Sequence, residues 1–237
     1  MKKWYYSIDI GGTNVKFGKI DEKGQLLQTW KIETKANDAN DFYNRLAAQI
    51  SDSAKGIGVC APGIFDEDGM ILTKSSGNAS CLYLTNPIKE LEKRLSVPVT
   101  LINDAKACGL CELKLGAAKH KTRSACYVIG TGIGGCLMDE NGIHMGANGF
   151  SGEFSYMPIY SEHGIKQLGN EASMTALLNN YQAIHPEVCD TYEIMRRYHN
   201  QEEDAKKVIS HWINAIAMQC ITIHCVYRSE ERRVGKE

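Results

Sequence analysis

Two glycine-rich segments of the chain have the residue types and spacing that bind phosphate groups. The first is Asp9–Asn14, with the sequence DIGGTN, and the second is Gly130–Gly135, with the sequence GTGIGG. Strand-forming residues stand on both sides of each segment, so each predicts a tight turn between two β-strands. Closely spaced backbone N–H groups without side-chain bulk can surround phosphate oxygens. We interpret the two turns as two cradles for one polyphosphate; ordinary glycine-rich hairpins are the alternative.

Polar residues in and near the first turn extend this predicted phosphate site. Thr13 and Asn14 can donate side-chain hydrogen bonds, and Lys16 adds a positive charge. Asp9 is a candidate to hold Mg²⁺ directly or through water, because Mg²⁺ keeps most of its waters and takes few protein ligands. A solvated residue at a strand end is the alternative for Asp9. The predicted phosphate-binding residues are Gly11, Gly12, Thr13, Asn14, Lys16, Gly130, Thr131 and Gly132.

Two other nucleotide-binding motifs are disfavoured. Gly130, Gly132 and Gly135 fit the dinucleotide fingerprint G-x-G-x-x-G, but that fingerprint requires a helix directly after the turn. The residues that follow here, CLMDENG, predict a strand and a hairpin turn instead. The P-loop pattern G-x-x-x-x-G-K-[ST] does not occur in the sequence.

Asp104 is the candidate acid–base residue. It follows a β-branched run that predicts a strand, and it stands in the first turn of a predicted helix. Ligands favour that edge of α/β sheets, and a helix N-terminus stabilises the ionised carboxylate. Such a carboxylate could accept the proton of an alcohol that attacks a γ-phosphate. The alternative role is helix capping, which Asn103 can also fill.

A sugar is a plausible acceptor alcohol, and three polar residues could bind it. Each sugar hydroxyl requires a hydrogen-bond partner once it is buried. Asn78, Asn103 and Glu153 have suitable side chains. For Asn78 and Glu153, exposed loop residues are the alternative interpretation.

Composition narrows the class of protein. The chain has 237 residues, of which 43% are hydrophobic and 23% charged, as in ordinary soluble globular proteins. No stretch has the length of a membrane span and no signal peptide is evident, so we predict a cytoplasmic protein that does not bind membranes. The net charge of −1 gives no reason to expect nucleic acid as a partner. The nine cysteines predict reduced thiols, and we expect Cys108 and Cys111 to be buried structural residues.

The order of predicted elements indicates a mixed α/β fold with an internal duplication. Three strands are followed by helix, strand, helix, strand and helix, and then the strand–turn–strand pattern restarts. We predict two lobes, residues 1–116 and residues 117–237, with a central cleft between them.

The motifs, taken in order, resemble those of ROK-family sugar kinases, which belong to the actin-like ATPase superfamily with its duplicated, ribonuclease H-like fold. The resemblance covers about residues 4 to 227. The matching segments are Asp9–Asn14, Gly58–Gly63, Asn103–Ala105, Gly130–Gly135 and Gly152–Met157.

The resemblance implies ATP-dependent, Mg²⁺-dependent phosphorylation of a hexose or glucoside, usually at the 6-hydroxyl. Asp104 would be the general base, and the two glycine turns would bind the phosphates. The implied sugar-binding residues are Gly63, Asn78, Asn103, Asp104 and Glu153.

Three departures from the family pattern refine these expectations. Tyr156 stands where many members have histidine, and the segment from Ser161 to Ser173 lacks the cysteines of the family's zinc motif, so no structural zinc is expected. In this respect the sequence is similar to the branch of the family that lacks the zinc motif and includes β-glucoside kinases and some glucokinases. Glu171 does not align with the family's second sugar-binding glutamate. Residues 228–237 form a charge-dense tail where the family pattern continues, so we expect an incomplete second lobe.

Two other classes of function are alternatives to a sugar kinase. A catalytically inactive sugar-binding protein or a truncated ROK protein is the main alternative. A transcriptional regulator is disfavoured, because only eight residues precede Asp9 and a DNA-binding region has no room there. The particular sugar and the formation of a homodimer are left open.

Overall fold

The computed structural model describes residues 4–50, 54–74, 77–161 and 164–228. Its strands are Trp4–Ile10 (β1), Asn14–Ile20 (β2), Leu26–Glu33 (β3), Ala54–Ala61 (β4), Val99–Asn103 (β5), Arg123–Ile129 (β6), Ile133–Asp139 (β7), Gly142–Ile143 (β8), Pro158–Ser161 (β9) and Gly164–Gln167 (β10). Its α-helices are Ala39–Ala47 (α1), Pro87–Leu95 (α2), Asp104–Leu115 (α3), Gly169–Ala172 (α4), Met174–Gln182 (α5), Thr191–His199 (α6) and Glu203–Tyr227 (α7). Two 3₁₀ helices are Gly77–Leu82 and Phe154–Tyr156.

The chain divides into two compact units. Unit 1 comprises residues 1–107 and 146–150, and unit 2 comprises residues 108–145 and 151–237. The division falls within α3, whereas the sequence-based boundary follows residue 116. The second half of α3 belongs to unit 2 because it approaches β7 closely: a Cβ added at Gly109 would lie 2.1 Å from the Cys136 sulfur.

Unit 1 contains a five-stranded mixed sheet in the order β3-β2-β1-β4-β5. The first three strands form the antiparallel meander that the sequence predicts, and β4 and β5 run parallel to β1. In this register Asp9 lies beside Cys60, and Ala61 lies beside Asn103. The carboxyl ends of β1, β4 and β5 therefore meet at one edge of the sheet.

Local sequence signals explain the helices of unit 1. Phe42 and Leu46 lie one turn apart on α1 and are fully buried, as the helical period predicts. Asn86 caps α2 by accepting a hydrogen bond from the backbone N–H of Lys89, and Pro87 takes the first helical position, where its missing N–H costs nothing. The buried side chains of α1 and α2 join the core of this unit.

Unit 2 combines short antiparallel strands with a helical layer. Its described residues form one sheet in the order β6-β7-β8 and a separate β9–β10 hairpin. The long helix α7 packs against α4, α5 and α6. Two apolar clusters result, one around Ile133, Phe154, Leu168 and Ala215, and the other around Leu177, Tyr181, Ile194 and Ile209.

The sequence analysis predicts neither α6 nor the β9–β10 hairpin, because α6 is short and mostly polar and each strand of the hairpin has only four residues. Ile194 is the buried residue of α6, and the hairpin leaves Tyr160 and Ile165 exposed. The expectation that Cys108 and Cys111 are buried is wrong, since both are exposed on α3. The face of α3 that packs inward includes Lys106 and Gly109, so its apolar period is weak. Among the helices of the described residues, none has the length and apolar character needed to cross a membrane.

Candidate active site

The first glycine turn connects β1 to β2 at the carboxyl edge of the unit 1 sheet. The backbone N–H of Gly11 donates to the carbonyl of Asn14 at 3.1 Å. The fully buried Thr34 anchors the turn, since its hydroxyl donates to the Gly11 carbonyl at 2.7 Å and its N–H donates to the Thr13 carbonyl at 3.0 Å. Gly12 and Thr13 are exposed, and a Cβ at Gly12 would meet nothing within 4 Å. Thr34 thus fixes the backbone of the turn, while Gly12 and Thr13 remain accessible, as the binding of an anion requires.

The second glycine turn connects β6 to β7 in unit 2. The N–H of Gly130 donates to the carbonyl of Gly132 at 2.9 Å, and the Gly130 carbonyl accepts from the N–H of Met174 at 3.0 Å. Thr131 and Gly132 are exposed, and Gly132 has open space around its Cα. Gly135 differs, because a Cβ there would lie 2.3 Å from the Cys126 carbonyl oxygen. The first three residues of this segment thus form an open turn, whereas Gly135 is required by packing.

Asp9 lies at the end of β1, next to the first turn, with 43% of its side chain exposed. Its Oδ2 is 3.5 Å from the Lys16 Nζ across the β1–β2 ladder, and its Oδ1 accepts a hydrogen bond from the Cys60 thiol at 3.4 Å. The described residues contain no group of three or more His, Cys, Asp or Glu side chains that could hold a metal ion. A single accessible carboxylate still suits Mg²⁺, which completes its shell with water and phosphate oxygens. Asp9 therefore fits the predicted magnesium role.

Asn103 is buried and makes two structural hydrogen bonds. Its Oδ1 accepts from the N–H of Lys106 at 3.1 Å, which caps α3, and its Nδ2 donates to the Gly63 carbonyl at 3.1 Å. Gly63 has a φ of +111°, and a Cβ there would lie 2.5 Å from the Thr73 hydroxyl, so only glycine fits without strain. These bonds join the ends of β4 and β5.

Asp104 begins α3 directly after β5, and its side chain remains accessible. Its Oδ1 accepts from the N–H of Ala105 at 2.8 Å. Partial loss of hydration among surrounding protein atoms raises the pKa of Asp104 above its ordinary value. The hydrogen bond from the Ala105 N–H lowers this pKa, and the negative charge of Asp9 raises it; the net shift is upward. A carboxylate with a raised pKa is a stronger base, which suits proton abstraction from an alcohol.

The remaining predicted sugar-binding residues lie in different units. Asn78 is exposed in the first 3₁₀ helix of unit 1. Glu153 is half-buried in unit 2, immediately before the second 3₁₀ helix. The backbone before Glu153 requires glycine at position 152, because Gly152 has a φ of +80° and a Cβ there would lie 2.5 Å from the Cys136 Cα.

The structure thus brings one set of predicted residues together and leaves another set in the other unit. The set at the carboxyl edge of the unit 1 sheet is Asp9, Gly11, Gly12, Thr13, Asn14, Lys16, Gly63, Asn103 and Asp104. Gly130, Thr131, Gly132 and Glu153 belong to unit 2.

Sequence reasoning missed three residues at this edge: Thr34, Cys60 and Lys106. Thr34 and Lys106 are 0% and 1% exposed, respectively. The positive charge of Lys106 slightly lowers the pKa of Asp104. A sequence signal existed for Cys60 alone, since it stands where the strand of the Gly58–Gly63 segment ends.

Comparison with known proteins identifies the family. The family model described as "ROK family" matches residues 5–231. The chain is 31% identical over 161 residues to the N-acetylgalactosamine kinase AgaK of Shewanella sp. (strain ANA-3), a match that covers 65% of this chain and 51% of AgaK. It is 32% identical over 154 residues to the beta-glucoside kinase of Klebsiella pneumoniae, covering 64% of this chain and 51% of that kinase. The chain thus spans about half the length of these curated relatives.

A solved structure supports the fold. The ROK family glucokinase of Streptomyces griseus, in complex with glucose and AMPPNP, superposes with a TM-score of 0.76 at 20% identity, covering 95% of this chain and 80% of the glucokinase. At this identity the likeness shows the fold, and it confirms the predicted actin-like ATPase architecture. With the family model matching nearly the whole sequence, the chain belongs to the ROK family.

Proposed function

We propose that the chain is an ATP-dependent sugar kinase that transfers the γ-phosphoryl group of ATP to a hydroxyl, most simply the 6-hydroxyl, of a hexose or glucoside. One observation carries the proposal: Asp9, the first glycine turn and Asp104 share the carboxyl edge of one sheet. This edge thereby combines a phosphate cradle, a carboxylate suited to Mg²⁺ and a second carboxylate suited to a base. The kinase names of relatives agree with this chemistry.

In the proposed reaction, each residue has a separate task. The N–H groups of the two glycine turns bind phosphate oxygens, and Lys16 turns from Asp9 toward the phosphates. Asp104 accepts the proton of the sugar hydroxyl while that oxygen forms a bond to the γ-phosphorus; the bond from the γ-phosphorus to the bridging oxygen breaks and ADP leaves. Asp9 would hold Mg²⁺, which would supply charge neutralisation on the phosphate oxygens.

The proposed sugar site uses side chains that can form hydrogen bonds with hydroxyl groups. Asn78 and Glu153 would contact sugar hydroxyls. Asn103 has one amide hydrogen beyond the bond to Gly63, and this hydrogen could bind the sugar. Gly63 itself would contribute through the shape of its turn. The structural bonds of Asn103 make it pre-organised, which lowers the entropic cost of binding.

The test is sugar-dependent release of ADP from Mg·ATP, measured by a coupled assay. The panel contains glucose, cellobiose, N-acetylmannosamine, N-acetylgalactosamine and fructose. We expect release with at least one of these sugars, and no release with its 6-deoxy analogue. Binding of a sugar by calorimetry, with no ADP release from any of them, would instead favour a sugar-binding protein without kinase activity.

A further inference from the structure

The Cys60 thiol contacts the carboxylate that the proposed function assigns to Mg²⁺. Cys60 lies on β4 directly beside Asp9 on β1, in parallel register, and its Sγ is 3.4 Å from the Asp9 Oδ1. On the other side of the same carboxylate, Lys16 on β2 lies 3.5 Å from Oδ2. The two contacts hold different oxygens of Asp9 from different neighbouring strands, so together they fix the orientation of the carboxylate.

The two contacts differ in how firmly they are held. The Lys16 side chain is 70% exposed, and an exposed ion pair of this kind contributes little and exchanges readily. Cys60 is half-buried, and its strand is paired on both sides, with β1 and with β5. The thiol therefore keeps its place when Lys16 turns toward a phosphate.

The chemistry of a thiol suits this position. A neutral thiol is a weak hydrogen-bond donor, so it can orient a carboxylate. Mg²⁺ prefers oxygen ligands, so the sulfur does not compete with Asp9 for the metal ion.

We propose that Cys60 is a positioning residue for Asp9: its thiol holds Oδ1 and leaves Oδ2 directed toward the metal-bound waters of Mg·ATP. This inference rests on the proposed function, since it gives Asp9 its magnesium role. It adds a residue that acts through Asp9 and does not itself contact the nucleotide.

Two substitutions at Cys60 separate orientation from packing. Cys60→Ala removes the donor, and Cys60→Ser keeps a donor on a side chain of similar shape. Cys126→Ala is the matched control, because Cys126 is also half-buried in a strand but lies in unit 2. Thermal melting of each variant checks that the variant is folded.

Metal binding is measured without catalysis, by the electron paramagnetic resonance of Mn²⁺ titrated into the full chain saturated with AMPPNP. We expect Cys60→Ala to weaken Mn²⁺ binding by about 5-fold, as the loss of one hydrogen bond does. In steady-state assays the half-saturating Mg²⁺ concentration should rise by a similar factor, while the KM for the sugar stays unchanged. Cys60→Ser should restore most of the metal affinity, and Cys126→Ala should bind Mn²⁺ like the parent chain.

Two results would overturn the inference while the proposed function stands. One is a Cys60→Ala variant that binds Mn²⁺ as tightly as the parent. The other is an equal loss in Cys60→Ala and Cys60→Ser, accompanied by lower melting temperatures, which would assign Cys60 to packing. If the parent chain itself bound no Mn²⁺ with AMPPNP, the proposed function and this inference would both be wrong.

Discussion

Asn103 and Asp104 are adjacent residues with different physical roles. The buried amide of Asn103 caps α3 and holds the Gly63 carbonyl, whereas the Asp104 carboxylate remains accessible and has a raised pKa. The sequence could place both residues at the strand-to-helix junction, because a β-branched strand followed by Asn-Asp is a strong local signal. It could not show the bond from Asn103 to Gly63, because that contact joins residues 40 positions apart. The sequence marks Cys60 only as a strand end, and it could not show the contact with Asp9, which lies 51 positions away.

The raised pKa of Asp104 predicts a pH dependence of stability. Ionisation costs the folded state more than the unfolded state, so the cost is absent below the ordinary value of 3.8 and grows as pH rises from there to the raised pKa. Asp104→Asn removes this cost and keeps an oxygen that can accept from Ala105. We expect the variant to be modestly more stable than the parent at pH 7, with the difference shrinking toward pH 4, as measured by urea unfolding. A stability advantage that grew in acid would mean that the pKa of Asp104 is lowered.

At the scale of elements, the two glycine turns illustrate what a periodic pattern can and cannot predict. Alternation in the flanking residues correctly predicts an antiparallel pair around each turn, β1–β2 and β6–β7. The sequence GTGIGG does not distinguish glycines that face open space from glycines that pack. Gly132 is of the first kind, whereas Gly135 lies against the Cys126 carbonyl and the Phe154 ring.

This difference predicts opposite outcomes for two alanine substitutions in one segment. Gly135→Ala places a methyl group 2.3 Å from the Cys126 carbonyl oxygen, and we expect it to lower the free energy of unfolding by about 1–3 kcal/mol. Gly132→Ala meets no atom within 4 Å, so we expect folding to be kept while the added methyl weakens Mg·ATP binding. Urea unfolding and nucleotide titration check the pair. Normal stability of Gly135→Ala would contradict the packing, and unchanged nucleotide affinity of Gly132→Ala would remove this turn from the phosphate site.

At the scale of the whole molecule, the repeated strand–turn–strand pattern predicts two lobes, residues 1–116 and 117–237, and this division stays a prediction. In the structure the residues group into two compact units whose boundary lies within α3. The two boundaries differ because a helical period does not reveal which neighbouring element each half of α3 packs against. We identify no sequence pattern that predicts that residues 146–150 belong to unit 1. The five-stranded sheet of unit 1, by contrast, follows from the predicted strands once their parallel pairing is known.

The proposed kinase activity depends on Asp104 acting as the base in phosphoryl transfer. The most direct measurement is a rapid-quench, single-turnover assay of transfer from [γ-³²P]ATP to the sugar that supports ADP release, comparing Asp104→Asn with the parent. Asp68→Asn is the control, because Asp68 is an exposed loop carboxylate of the same unit. We predict that the transfer rate of Asp104→Asn falls by about 10²- to 10⁴-fold while Asp68→Asn transfers at the parental rate. An Asp104→Asn variant that transfers phosphate as fast as the parent would contradict the account.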